Sequence, residues 1–111
     1  MYLNRSVQNR FLKISKMFPV TLVTGPRQCG KTTMLQEIKE ENRNYVSLDK
    51  LEIRTLAKED PELFLQTYKP PIIIDEVQYA PNLFPYIKSI VDNLKEDNLY
   101  WLTGSQQFSL M

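Results

Sequence analysis

Eight consecutive residues combine glycine, lysine and threonine at a spacing suited to holding phosphate. They run Gly25-Pro26-Arg27-Gln28-Cys29-Gly30-Lys31-Thr32 and match the pattern G-x-x-x-x-G-K-[ST] at every fixed position. The glycines let the backbone turn tightly, so that successive N–H groups form a nest for anions. A helix beginning near Lys31 would direct its positive end at the same place. The pattern predicts a nucleotide-binding loop for ATP and Mg²⁺, with Lys31 at the β- and γ-phosphates and Thr32 at the metal.

A second element places two carboxylates directly after an apolar run. Ile72-Ile73-Ile74 reads as a buried strand, and Asp75-Glu76 follow it at the end where ligands bind in open α/β sheets. We expect Asp75 to hold Mg²⁺ through water and Glu76 to act as the base that activates the attacking water. Alone, such a run more often marks a strand that enters a solvated turn. Together with the loop at 25–32, it becomes a much stronger signal.

A third, weaker element is the polar turn after the last strand. Leu99–Thr103 is followed by Gly104-Ser105-Gln106-Gln107. If this strand lies between the other two motif strands, Ser105, or as second choice Gln106, would reach the γ-phosphate or the attacking water. An ordinary polar turn is an equally good interpretation.

The elements that must position these residues alternate along the chain. Short β-branched runs alternate with amphipathic segments, which predicts a βαβαβαβ order and an α/β fold with a parallel sheet. We expect Asp49 to cap one helix in a capping box with Glu52, and Asp60 to cap another that starts at Pro61. The predicted helices are 4–17, 31–42, 49–57, 60–68 and 82–95, and the predicted strands are 20–24, 45–48, 71–74 and 99–103.

The composition of the chain excludes several partners and kinds of site. The 111-residue chain has a net charge of +1, so no bulk field attracts nucleic acid or acidic lipid. It contains no His and the single Cys29, which excludes imidazole catalysis, an internal disulfide and a multi-cysteine zinc site. The longest apolar stretch, Pro70–Ile74, is far too short to span a bilayer. We therefore expect a soluble, cytoplasmic protein with no membrane contact.

Taken together, these motifs resemble the AAA+ superfamily of P-loop ATPases. The resemblance lies in Gly-Pro-Arg-Gln-x-Gly-Lys-Thr-Thr (25–33), Val-Ser-Leu-Asp (46–49), Ile-Ile-Asp-Glu-Val-Gln (73–78) and Leu-Thr-Gly-Ser (102–105). It covers nearly the whole chain and looks most like the N-terminal AAA-type domain of a group of bacterial and archaeal ATPases. It implies a P-loop NTPase α/β/α fold of strand order 5-1-4-3-2. In that fold Walker A spans 25–32, with Thr33 beside the nucleotide, Walker B spans 72–76, and sensor 1 lies within 102–106.

Members of that group continue past the Gly-Ser turn into a fifth strand and a further domain. We therefore expect residues 1–111 to form a partial domain, in which Val20–Thr24 is an exposed edge that pairs with a second copy in a homo-oligomer. Two other functions stay open, a small P-loop kinase and a nucleotide-dependent interaction module that does not hydrolyse ATP. The client, whether DNA or another protein, is also open.

Overall fold

The structure, a computed structural model, describes residues 4–26 and 30–105. Its centre is a sheet of four parallel strands in the order β1-β4-β3-β2. This confirms the predicted α/β fold with a parallel sheet, and the order agrees with the 1-4-3-2 portion that the resemblance implied. The strands are β1 (Val20–Gly25), β2 (Asn44–Ser47), β3 (Ile72–Asp75) and β4 (Tyr100–Ser105).

Helices cover both faces of the sheet and give a three-layer α/β/α arrangement. One face packs against α1 and α2, and the other packs against α3, α4 and α5. A single turn of 3₁₀ helix at Val77–Tyr79 follows β3. The helices are α1 (Arg5–Ser15), α2 (Lys31–Ile38), α3 (Leu51–Glu59), α4 (Pro61–Thr67) and α5 (Leu83–Leu94). Within residues 4–26 and 30–105, no helix combines the length and the apolar character needed to cross a bilayer.

The central strands divide their side chains between two hydrophobic clusters. All four residues of β3 are buried, as expected for a strand covered on both faces. Ile73 and Trp101 belong to the cluster under α1 and α2, whereas Ile74 and Tyr100 belong to the larger cluster under α3 to α5. Tyr100 and Trp101 therefore lie on opposite faces of β4.

Helix α1 packs through fewer residues than its apolar pattern predicts. Phe11 and Ser15 are buried, and the Phe11 ring meets Trp101 edge to face with 4.8 Å between ring centroids. Val7 and Ile14 are 38% and 39% exposed. Phe11 and the partly buried Leu12 thus pack α1 against the cluster that contains Ile73 and Trp101.

Helix α2 ends at Ile38 rather than near Asn42, and the residues after it bring a buried Arg43 against an exposed Glu40. The Arg43 guanidinium donates to both carboxylate oxygens of Glu40, at 2.7 and 3.1 Å, and stacks 4.0 Å from the centre of the Trp101 ring. The hydrogen bond from Arg43 lowers the pKa of Glu40 to about 2. A continued helix would carry Arg43 away from this position beneath the amino ends of the strands.

The two predicted helix caps have different outcomes. Asp60 caps α4 as predicted, since its carboxylate accepts from the backbone N–H three residues on at 3.1 Å and Pro61 is the first helical residue. The capping box at Asp49 is wrong. Helix α3 starts at Leu51, and its N-cap position is Lys50, which makes no side-chain capping bond. Asp49 therefore lies one residue before the N-cap position of α3.

The hydroxyl of Tyr100 gives a stability prediction. This side chain is fully buried, and its hydroxyl has no hydrogen-bond partner among the described residues. Burial also raises the pKa of this phenol to about 12. Because a buried polar group without a partner costs about 1–3 kcal/mol, Tyr100→Phe should raise the free energy of unfolding by about 1 kcal/mol. Urea denaturation of both proteins measures this, and a fall of the same size would show that the hydroxyl has a partner.

Candidate functional site

The predicted site residues meet where the carboxyl ends of three neighbouring strands approach the amino end of α2. Gly25, at the end of β1, lies beside Ser105 at the end of β4. The Thr32 hydroxyl, in the first turn of α2, donates to Oδ1 of Asp75 at 2.8 Å. The structure thus joins the loop motif and the carboxylate motif at the edge of the sheet where ligands bind in open α/β folds.

The loop enters α2 through a glycine that adopts a left-handed conformation. Gly30 is the N-cap of α2 with φ 93°, a backbone geometry that disfavours residues with a Cβ. Its carbonyl accepts from the N–H of Met34 at 2.9 Å, which starts the helix. The following N–H groups of the first turn have no acceptor within the helix, an arrangement that favours an anion at a helix start. Thr33 lies in this first turn and is exposed.

The remaining loop residues fall in two groups. Pro26 is exposed and follows β1 directly. The predicted nucleotide contacts of Arg27, Gln28 and Cys29 lie outside the described residues, as does the alternative sensor Gln106.

Lys31 lies over the loop that precedes it. It is the first residue of α2 and is buried, with 4% of its surface exposed. Its ammonium group donates to the carbonyl oxygens of Gly25 and Pro26 at 3.5 and 3.4 Å, which are long hydrogen bonds. An ammonium held by weak neutral acceptors gains energy when phosphate oxygens replace them.

Asp75 accepts hydrogen bonds from three different elements. Oδ1 accepts from the hydroxyls of Thr32 on α2 and Thr103 on β4, and Oδ2 accepts from the phenol of Tyr45 on β2 at 3.1 Å. Burial, followed by the charge of Asp75, raises the pKa of Tyr45 to about 12, so the phenol stays protonated and remains a donor at neutral pH. Thr32 and Asp75 were predicted to share a metal ion, whereas the donors Tyr45 and Thr103 were not predicted.

Glu76 is turned out of the strand by an unusual backbone conformation. Its φ of 61° and ψ of 50° are left-handed, which costs a non-glycine residue about 1–2 kcal/mol. Its N–H donates to the Thr103 hydroxyl at 3.0 Å. Oε1 accepts from the Ser105 hydroxyl at 3.0 Å and from the Gln78 side-chain amide at 2.8 Å. Strain of this kind is typical of functional sites, where surrounding contacts hold it.

Ser105, Gln78 and Thr103 therefore act on the two carboxylates. Ser105 was predicted to touch the γ-phosphate or water; in the structure its hydroxyl donates to Glu76, and its backbone N–H donates to the side-chain amide oxygen Oε1 of Gln78 at 3.3 Å. Thr103 lies within the predicted sensor segment, but its bridge between Asp75 and the Glu76 backbone was not predicted. Thr103 follows Leu102, which pairs with Ile74, so its place on β4 puts it beside the end of β3.

The donor set at this edge has the chemistry that magnesium requires. Carboxylate oxygens of Asp49, Asp75 and Glu76 lie within 4.8 Å of one another, and the Thr32 hydroxyl adjoins Asp75. Mg²⁺ prefers such oxygen donors and is usually bound through one or two carboxylates together with substrate phosphates. The residues present thus fit the predicted metal, with Asp49 as an exposed acidic neighbour that the sequence analysis did not assign to the site.

Comparison with known proteins agrees with the fold and the motifs described above. The sequence signature of a family described as "AAA domain" matches residues 17–111. Uncharacterized proteins of Mycobacterium bovis (Mb2031c) and Mycobacterium tuberculosis (Rv2008c) are each 36% identical over 87 residues, covering 78% of this chain. The chain spans 20% of the length of each of these relatives.

A solved structure has the same fold. A RuvB mutant of Thermotoga maritima superposes with a TM-score of 0.51, covering 93% of this chain and 39% of the RuvB chain. The two sequences are 18% identical in this alignment, so the likeness concerns the fold.

Proposed function

Because the chain belongs to the AAA domain family, a family of nucleotide-binding ATPases, we propose that it binds ATP with Mg²⁺ and hydrolyses the γ-phosphate. The observation that carries this proposal is the contact of 2.8 Å between Thr32 and Asp75 at the amino end of α2. It links the residue types of a phosphate-binding loop to a buried carboxylate across the sheet. Glu76, the proposed base, is adjacent to that carboxylate.

The chain's own groups supply the binding of the triphosphate. The N–H groups at the start of α2 and the helix dipole favour the negative β- and γ-phosphates. Lys31 exchanges its two carbonyl contacts for phosphate oxygens and so adds a charge-assisted hydrogen bond. Arg27, Gln28 and Cys29 complete the backbone cradle in this proposal.

Thr32 and Asp75 would hold the magnesium ion. When bound, the metal neutralises charge on the phosphate oxygens and helps to place them for reaction. Thr32 supplies a hydroxyl oxygen, and its proton stays on that oxygen while it donates to Oδ1 of Asp75. Burial of Asp75, which is 5% exposed, keeps bulk water from competing for this carboxylate.

Glu76 carries the proposed chemical step. Its carboxylate accepts a proton from water as the water oxygen bonds to the γ-phosphorus and the bond from phosphorus to the ADP oxygen breaks. Ser105 and Gln78, which both donate to Oε1, fix the direction of the carboxylate. The αL conformation at Glu76 and its N–H bond to Thr103 fix the backbone from which the base extends.

Product analysis separates this proposal from the two alternatives. We expect release of inorganic phosphate and ADP in equal amounts, dependent on Mg²⁺. A small P-loop kinase would instead transfer phosphate to an acceptor in a nucleoside panel. An interaction module would bind ATP and release no phosphate, which would contradict the hydrolysis part of the proposal.

Self-association through β1 remains a separate proposal. This strand pairs with β4 on one side, no other strand of the described residues pairs with its second side, and Leu22 is 50% exposed. An open strand edge is a template for pairing with a second copy. We expect sedimentation velocity to show species larger than a monomer as concentration rises, and a monomer at every concentration would contradict this.

The DNA or protein client and the cytoplasmic location also remain predictions.

A further inference from the structure

We propose that Tyr45 is a positioning residue that sets the orientation of the Asp75 carboxylate for cation binding. The inference rests on the proposed function and adds a fourth strand, β2, to the site. Tyr45 lies on β2, at the edge of the sheet, and pairs in register with Ile73 of β3. Its phenol donates to Oδ2 of Asp75, on the neighbouring strand β3, at 3.1 Å.

Tyr45 differs from the other donors to Asp75 because it binds the other carboxylate oxygen. Oδ1 already accepts from the hydroxyls of Thr32 and Thr103. Among the hydrogen bonds that the structure describes at this side chain, the bond to Oδ2 comes from Tyr45. Donors on both oxygens oppose rotation of the carboxylate about its bond to Cβ. Without the Tyr45 phenol, the hydroxyls of Thr32 and Thr103 still hold the carboxylate at Oδ1.

Donors that orient a metal ligand affect metal binding although they do not touch the metal. Loss of such an outer partner costs about 10–100-fold in metal affinity. Tyr45→Phe removes one oxygen and keeps the ring, so the packing of β2 is preserved. The substitution therefore tests the hydrogen bond itself.

The experiment measures Mn²⁺ binding by electron paramagnetic resonance in the presence of a β,γ-imido analogue of ATP. We expect Tyr45→Phe to weaken Mn²⁺ binding by about 10-fold or more. Affinity for the analogue in EDTA should stay at the wild-type value, because phosphate contacts are unchanged. Tyr86→Phe is the matched control, since this tyrosine lies 41% exposed on α5, and it should leave both affinities unchanged.

The same substitution in a variant of Asp75 separates an effect that acts through Asp75 from a general effect on the protein. In Asp75→Ala the same Tyr45→Phe change should have no further effect on Mn²⁺ affinity, because no side-chain oxygen is left at position 75 to accept from the phenol. Equal Mn²⁺ affinity of wild type and Tyr45→Phe would overturn the inference and leave the proposed function intact. A wild-type protein that binds neither Mn²⁺ nor the analogue would overturn the proposed function and the role of Tyr45 with it.

Discussion

Replacing Lys31 with alanine is expected to weaken ATP binding by a factor of about 30 to 1,000. Removing one partner of a buried, hydrogen-bonded charge pair costs about 2–4 kcal/mol, and each 1.4 kcal/mol is a factor of ten. Lys31 fits this case because it is buried at the start of α2 and its present acceptors are two distant carbonyl oxygens. Calorimetric titration with ATP and Mg²⁺ measures the change.

The matched control for this variant is Lys88→Ala. Lys88 sits on α5 with its side chain 75% exposed, paired with Asp92 at 2.8 Å. The control removes the same charge from the protein, so it corrects for any effect of net charge on ATP binding. Equal ATP affinities for Lys31→Ala and Lys88→Ala would show that the loop does not bind the phosphates.

The second large effect is expected from Glu76→Gln. Loss of a positioned general base slows a reaction by about 10²–10⁴-fold, and we expect a fall of that size in phosphate release. The glutamine retains an oxygen that can accept from Ser105 and Gln78, so the fold of the site is preserved. Its affinity for ATP should match that of the wild type. Steady-state phosphate release, together with calorimetry, gives both quantities.

Glu59→Gln provides the comparison for this prediction. Glu59 is exposed at the end of α3, and neutralising it should leave phosphate release unchanged. If Glu76→Gln released phosphate at the wild-type rate, the assignment of the base would be wrong. Loss of ATP binding in the same variant would instead mean that Glu76 is needed to form the site.

Much of the fold and the main motif could be predicted because they depend on local patterns. The spacing in 25–32 needs only a tight turn and a helix start, and Gly30 makes that turn in a left-handed conformation. The strand-helix alternation predicted the parallel sheet. The strand order came from the resemblance to a family, since alternation alone does not decide which strands are neighbours.

The parts that could not be predicted depend on contacts between distant segments. Tyr45 and Thr103 reach Asp75 from positions 30 and 28 residues away in the chain. Which hydroxyls face that carboxylate is decided by the register of three strands, and a single-residue shift would turn them to the other face. The end of α2 was misplaced for a related reason, because Arg43 is drawn to Trp101 of β4.

The central claim is that the triphosphate binds at the amino end of α2, against Lys31 and Thr32. The most direct measurement is a crystal structure of the protein with Mg²⁺ and the β,γ-imido analogue of ATP. We predict the β- and γ-phosphates at the N–H groups that begin α2, with the Lys31 ammonium on phosphate oxygens instead of the carbonyls of Gly25 and Pro26. An analogue bound elsewhere, with Lys31 still on those two carbonyls, would contradict the account.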